Sequence, residues 1–250
     1  MKGFWKLTLM EAKLFLREPA AAFFTLVFPL MMLFLFGSIF GNEPNPSYEG
    51  LGPVDVLVPG YTAMIIATSG LFTLPVVIAL YRERRILRRL KATPLPPLAI
   101  LGAQLVVILL MTLLGMALQV VAGKLVYGLR FNGNPLEVMA AFLLSSLSFF
   151  AFGFVLASVS PTARSAQTVA MVLFYPMIFL SGATLPREIF PENVLQLAQV
   201  LPLSHVVTLL QGLWMGKPWG NYWAEVGLLS ALSIVFVVVS VRTFRWEPKN

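Results

Sequence analysis

Apolar residues fall into six long runs, at residues 20–40, 56–80, 98–123, 138–159, 166–183 and 222–241, with charged and polar residues bunched between them. Each run is close to the ~20 residues an α-helix needs to cross a bilayer. In lipid the backbone must close its own hydrogen bonds, which helices do. The pattern predicts an all-α integral membrane protein, with six transmembrane helices in a single domain over residues 1–250. Pro29, Pro59, Pro75 and Pro176 fall inside the runs and read as kinks rather than ends.

Two segments follow another rhythm. Residues 1–18 carry Lys2, Lys6, Glu11, Lys13, Arg17 and Glu18 and are too polar to cross. At about 100° per residue, Lys2, Lys6, Lys13 and Arg17 share one narrow arc, while Phe4, Leu7, Leu14 and Phe15 lie elsewhere. That is the pattern of an interfacial amphipathic helix. The same charges argue against a cleavable signal, which needs an unbroken apolar core. Residues 185–220 hold two short apolar runs punctuated by Pro186, Pro191, Pro202 and Pro218. Neither run reaches spanning length, and both read as short re-entrant or interfacial helices on the outer side.

Charge supplies the orientation. With the N-terminus inside, only Lys124, Arg130, Arg187 and Lys217 fall in outer loops, leaving 14 of the 18 Lys and Arg in inner segments. This is the asymmetry of the positive-inside rule. An even number of spans then puts both basic termini in the cytoplasm. The net charge of +7 thus reads as topology, with no nucleic-acid partner implied. Composition agrees, at 58% hydrophobic and 12% charged residues, against about 25% charged in soluble domains. The absence of cysteine excludes disulfides, thiolate metal sites and cysteine nucleophiles.

The densest chemistry lies in residues 82–92, where six cations and one acid are followed by a proline-rich turn. Drawn as a helix, Ile86, Leu87 and Leu90 share one side. Arg82, Arg85, Arg88 and Arg89 lie away from it, and Glu83 falls on the apolar side. A carboxylate half-buried there needs a cationic partner. The plain reading is a loop that only sets topology. The functional reading is a docking helix for a cytoplasmic partner, made stiff by the stop at Ala92-Thr93-Pro94.

This stretch resembles the cytoplasmic loop of the ABC-2 family of transporter permeases, whose pattern runs roughly E-R-E-x-G-T-L-E-R-L-R-A-T-P. It matches at Arg82, Glu83, Leu87, Arg89, Leu90, Ala92, Thr93 and Pro94, with Lys91 a conservative change, and departs at Tyr81, Arg85, Ile86 and Arg88. Ser181-Gly182, Pro186, Pro191 and Pro202-Leu203 resemble a second family stretch before the last span. Asn193-Val194 and His205 there replace the usual tryptophan-leucine and tyrosine. The resemblance implies the membrane permease subunit of an ATP-binding-cassette exporter in a prokaryotic inner membrane. It would pair as a homodimer, or as a heterodimer with a related permease, on two ATP-binding subunits. Docking is expected at Arg82, Glu83, Arg85, Arg88, Arg89 and Lys91 of a coupling helix over 82–92, and at Lys6, Lys13 and Arg17 of the N-terminal helix. The chain would bind no cofactor, with ATP and Mg acting through the partner.

The rest of the sequence is consistent with this. The six runs hold no Asp, Glu, Lys, Arg or His near mid-membrane, where ion-coupled transporters place such residues. There is no G-x-x-x-x-G-K-[ST] phosphate loop, so the chain reads as a transport subunit and not as the ATPase. An ion-coupled secondary transporter or channel is the alternative. His205, the only histidine, is too little for a metal site. Glu188 and Glu192 read as a solvated face or a lid. Thr62, Ser69 and Thr73 of span two, with Gln104, Thr112 and Gln119 of span three, either line a translocation path or bond helix to helix. An apolar, uncharged membrane interior suits an amphipathic or lipid-linked substrate.

Overall fold

The computed structural model describes residues 2–48, 50–86, 97–184 and 190–243. Every regular element among them is helical. Helix α1 covers Lys2–Arg17. The six spans are α2 (Pro19–Phe40), α3 (Pro53–Glu83), α4 (Ala99–Tyr127), α5 (Pro135–Val159), α6 (Ala163–Leu180) and α9 (Trp219–Thr243). Between the last two lie α7 (Glu192–Val200) and α8 (Pro202–Trp214), which meet at 97°.

Local chemistry explains the ends. Helices α2, α3, α5 and α8 all have proline in the first turn, where its fixed φ suits a helix and its missing N–H is no loss. The Asn134 side chain accepts from the Leu136 N–H at the start of α5. Thr162 accepts from the Ser165 N–H at the start of α6, and each such cap is worth about 1 kcal/mol.

Two of the four internal prolines, Pro29 and Pro75, are accompanied by a widened turn, while Pro59 and Pro176 sit inside continuous α-helix. A π turn at Phe23–Val27 widens α2, and another at Ser69–Thr73 widens α3. Each is centred four residues before a proline, at Thr25 before Pro29 and at Leu71 before Pro75. A proline ring collides with the carbonyl four residues back, and the wider turn moves that carbonyl aside.

Helix α3 is the axis of the bundle, with 78% of its apolar window buried. Its backbone touches α5 directly: a Cβ on Gly153 would strike the Gly70 carbonyl, and one on Gly70 would strike Phe149. Without a hydrophobic drive between helices in lipid, such small-residue crossings let van der Waals contact hold the bundle. Helix α8 is not a lipid-facing appendage. Leu203, Val206, Val207, Leu209, Leu210 and Leu213 are buried in the main core, where α8 packs against α3 and α5. Helix α9 lies outermost, packed chiefly on α5. Phe152 stacks on Phe236 across this contact, with ring centres 4.6 Å apart.

The 31 residues of α3 exceed what the hydrocarbon layer requires. Its two charged side chains before the final residue, Asp55 and Arg82, are about 40 Å apart at 1.5 Å per residue, close to the full bilayer thickness including headgroups. The bundle therefore has two polar ends. One carries α1, Arg82 and the α5–α6 turn, and is the basic end. The other carries Asp55 and the 128–134 connection.

Candidate functional site

At the basic end, α1 packs along α4. Its inner face carries Thr8, Glu11 and Phe15, all buried, while Lys6, Lys13 and Arg17 are exposed on the opposite face. Trp5, Leu9 and Leu16 are also exposed and lie together on one flank between these faces. Met10 and Leu14 are exposed on the other flank, so helix α1 has a core side, a basic side and apolar residues on both flanks.

The buried Glu11 is bonded from two spans. The Tyr81 hydroxyl of α3 donates to its Oε2 at 2.6 Å, and Gln104 Nε2 of α4 donates to the same oxygen at 2.5 Å. Gln104 Nε2 also donates to the Tyr81 hydroxyl at 3.1 Å. Burial raises the Glu11 carboxyl pKa, and the Tyr81 and Gln104 hydrogen bonds oppose that only in part. The next residue, Arg82, is 3% exposed and donates through a terminal guanidinium nitrogen to the Ser160 carbonyl, at the turn from α5 to α6.

The expectation for Glu83 is corrected here. Glu83 is exposed and Arg82 is buried, the reverse of the helical-wheel reading. That wheel assumed one helix through 82–92. Instead Arg82 and Glu83 close the last turn of α3, and Arg84 (φ −77, ψ 5) and Arg85 (φ 54) break it. Arg84 and Arg85 are exposed. Arg88, Arg89 and Lys91 lie outside the described residues.

Thr62, Ser69, Thr73, Gln104 and Thr112, expected either to line a path or to join helices, are all buried within the protomer. Thr62 donates to the Val58 carbonyl at 2.9 Å. Thr112 donates to Ser69 Oγ at 2.8 Å and also lies 2.7 Å from the Ile108 carbonyl, joining spans two and three. Gln104 is spent on Glu11. Gln119 is buried, and neither atom of its amide has a partner among the described residues. His205 Nε2 pairs with the Gln199 carbonyl at 2.8 Å, which ties α8 back to α7.

The opposite end holds a cluster that sequence reasoning missed. Asp55 is 0% exposed. It accepts from the Gly52 N–H (2.8 Å), the Arg130 N–H (2.8 Å) and Asn42 Nδ2 (2.9 Å). Arg130 Nε lies 3.6 Å from its Oδ2. The Arg130 guanidinium also donates to the Gly50 and Asn42 carbonyls. Trp214 Nε1 donates to the Arg130 carbonyl at 3.2 Å, which brings α8 into the same clasp. The sequence signal was present but slight: an acid at the edge of an apolar run, with a lone arginine in a later loop.

Buried charged side chains among the described residues are Glu11, Asp55 and Arg82, each at an end of the bundle and none at its middle. Six spanning helices with charged joints confined to the two ends define a multi-pass membrane protein. The sequence profile of the ABC-2 type transporter matches residues 2–214. The chain belongs to that family, whose domain is the transmembrane subunit of its transporter.

Curated relatives are consistent with this. Nodulation protein J of Rhizobium leguminosarum bv. viciae is 28% identical over 44% of this chain and 42% of that protein. Inner membrane transport permease YhhJ of Escherichia coli strain K12 is 25% identical over 81% of this chain and 54% of that protein. Daunorubicin resistance ABC transporter permease protein DrrB1 of Streptomyces coeruleorubidus is 24% identical over 88% of this chain and 76% of that protein. The chain spans about half the length of the first two.

Proposed function

We propose that this chain is the permease of an ATP-binding-cassette exporter, moving an amphipathic or lipid-linked substrate with ATP hydrolysed on a separate subunit. One observation carries the reading. The exposed cations Lys6, Lys13, Arg17, Arg84 and Arg85 sit at one end, on elements fastened to spans two and three through Glu11 and Tyr81. A subunit docked there has a grip on the spans. The uncharged middle of the bundle supports an outside energy source over ion coupling.

In this reading the basic end faces the cytoplasm of a prokaryotic inner membrane, with both termini there. The ATPase meets α1 and the 84–91 segment, including Arg88, Arg89 and Lys91, and binds the ATP and Mg. A second permease, identical or related, completes the complex. Ser69 and Thr112 act as a joint between spans, and α7–α8 form the outer re-entrant segment.

The test is co-expression with a candidate ATP-binding-cassette ATPase, followed by co-purification and daunorubicin uptake into inside-out vesicles, that drug being chosen from the name of one relative. Uptake is expected to require ATP and the partner. Uptake that proceeds without the partner and follows an imposed ion gradient would establish the secondary-transporter alternative. Reversing Lys13, Arg17, Arg88 and Arg89 to Glu is expected to weaken partner binding about tenfold, since exposed pairs contribute a few tenths to ~1 kcal/mol each and 1.4 kcal/mol is a decade. Undiminished co-purification would remove this docking face.

A further inference from the structure

We propose that Glu11 is the positioning residue that passes movement of the basic end into the spans, by holding α1 to span two through Tyr81 and to span three through Gln104. The proposal rests on the exporter reading above and assigns it a specific linkage.

The geometry supports this at three points. Helix α1 packs chiefly along α4, and the Glu11–Tyr81 hydrogen bond is what ties it to α3 as well. Both donors converge on one oxygen and bond each other. A shift of any one of the three helices is therefore felt by the other two. Tyr81 and Arg82 are also the last anchored side chains before the break at Arg84–Arg85. A displacement arriving through the basic segment after that break reaches the final turn of α3 first. It is divided there, through Tyr81 and Glu11 to α4, and through Arg82 and the Ser160 carbonyl to the α5–α6 turn.

A purely structural plug would not need this form. Glu11 is 6% exposed, and its two bonds come from neutral donors. Removing a carboxylate from water is costly, and apolar groups of the same shape in place of the carboxylate and both its donors would be near neutral or stabilising. What the carboxylate provides is an acceptor that two separate helices can share while they move. The role asks for acceptor geometry and not for charge, so Gln is a permitted replacement and Ala is not.

The absence of cysteine makes the test direct. Spin labels are placed at Leu125→Cys on α4 and Leu197→Cys on α7, both exposed, in the complex with its ATPase. The ATP-dependent change in their separation is measured beside the ATP hydrolysis rate. Glu11→Ala is expected to keep co-purification and hydrolysis and to lose the distance change. Glu11→Gln is expected to keep all three. In a double-mutant cycle, Glu11→Ala with Gln104→Ala should lose no more than Glu11→Ala alone.

A Glu11→Ala complex that moves like wild type overturns the proposal. So does a Glu11→Gln complex that loses the movement together with Glu11→Ala. If Glu11→Ala fails to accumulate in the membrane, Tyr81→Phe and Gln104→Leu take its place, and an unaltered distance change in both overturns it. A wild-type complex that shows no ATP-dependent change takes down the exporter reading and this role together. A responsive wild type with unaffected variants takes down the Glu11 role alone.

Discussion

Asp55 and Glu11 are both buried carboxylates, one at each polar end of the bundle, and they are held by different chemistry. Asp55 accepts two backbone N–H groups and the Asn42 amide, with the Arg130 guanidinium beside it. Its partners come from the connections between spans, and Trp214 of α8 closes over them. Glu11 has two neutral donors on one oxygen, and burial holds its carboxyl above the ordinary range. Asp55 thus has three hydrogen-bond donors and a guanidinium beside it, against two donors for Glu11. The Asp55 end is built as a fixed clasp, and the Glu11 end as a joint that is easily remodelled. A transporter driven from its basic end would need that inequality.

The largest expected effect is at the clasp. Asp55→Ala leaves a guanidinium and three donors without their acceptor, and should cost about 3 kcal/mol, the low end for a broken buried pair, because Arg130 is partly exposed. Thermal unfolding in detergent measures it, and an unchanged Tm would erase the contrast between the two ends. Arg82→Met comes next. It strips the donor from the Ser160 carbonyl and should cost about 1–3 kcal/mol by the same measurement. A cost as large as that of Asp55→Ala would mean that the basic end is clasped as firmly as the other.

The smallest effect is a pH dependence at Glu11. A carboxyl whose native pKa lies above its unfolded value binds more protons folded than unfolded, so docking of α1 weakens as pH rises. The window opens near the ordinary value of 4.5 and extends up to the raised native one. Hydrogen-exchange protection of α1, corrected for intrinsic rate, should fall with pH in wild type and stay level in Glu11→Gln. Parallel profiles for the two proteins would show that Glu11 is not the group responsible.

All six spans were legible in the sequence, because each is an apolar run of bilayer length and needs no knowledge of its neighbours. The kinks were half legible: Pro29 and Pro75 mark the places, and the π turns around Thr25 and Leu71 are the backbone's answer. The joint was not read from the sequence, although a signal for it was there. Glu11 lies on the same arc of α1 as Phe4, Leu7 and Phe15, opposite the cations, and that pattern alone marks an inward-facing acid. The same reasoning applied to Glu83 failed, because the wheel was drawn across a helix that stops at Arg84. Asp55 was not singled out, since no periodicity links it to Arg130, which lies 75 residues further along the chain.

What the sequence alone determined was the solvent: which segments lie in lipid, where they end, and on which connections the positive charge collects. Transfer from water to hydrocarbon acts on each segment separately, so a linear reading suffices. What only the tertiary structure decided was which polar groups meet. Glu11 finds Tyr81 and Gln104, Arg82 finds the Ser160 carbonyl, and Asp55 finds Arg130 only because the Gly70–Gly153 crossing and the packing of α1 on α4 bring distant residues within hydrogen-bond range. A hydrogen bond depends on distance and direction between partners, and the order of residues along the chain specifies neither.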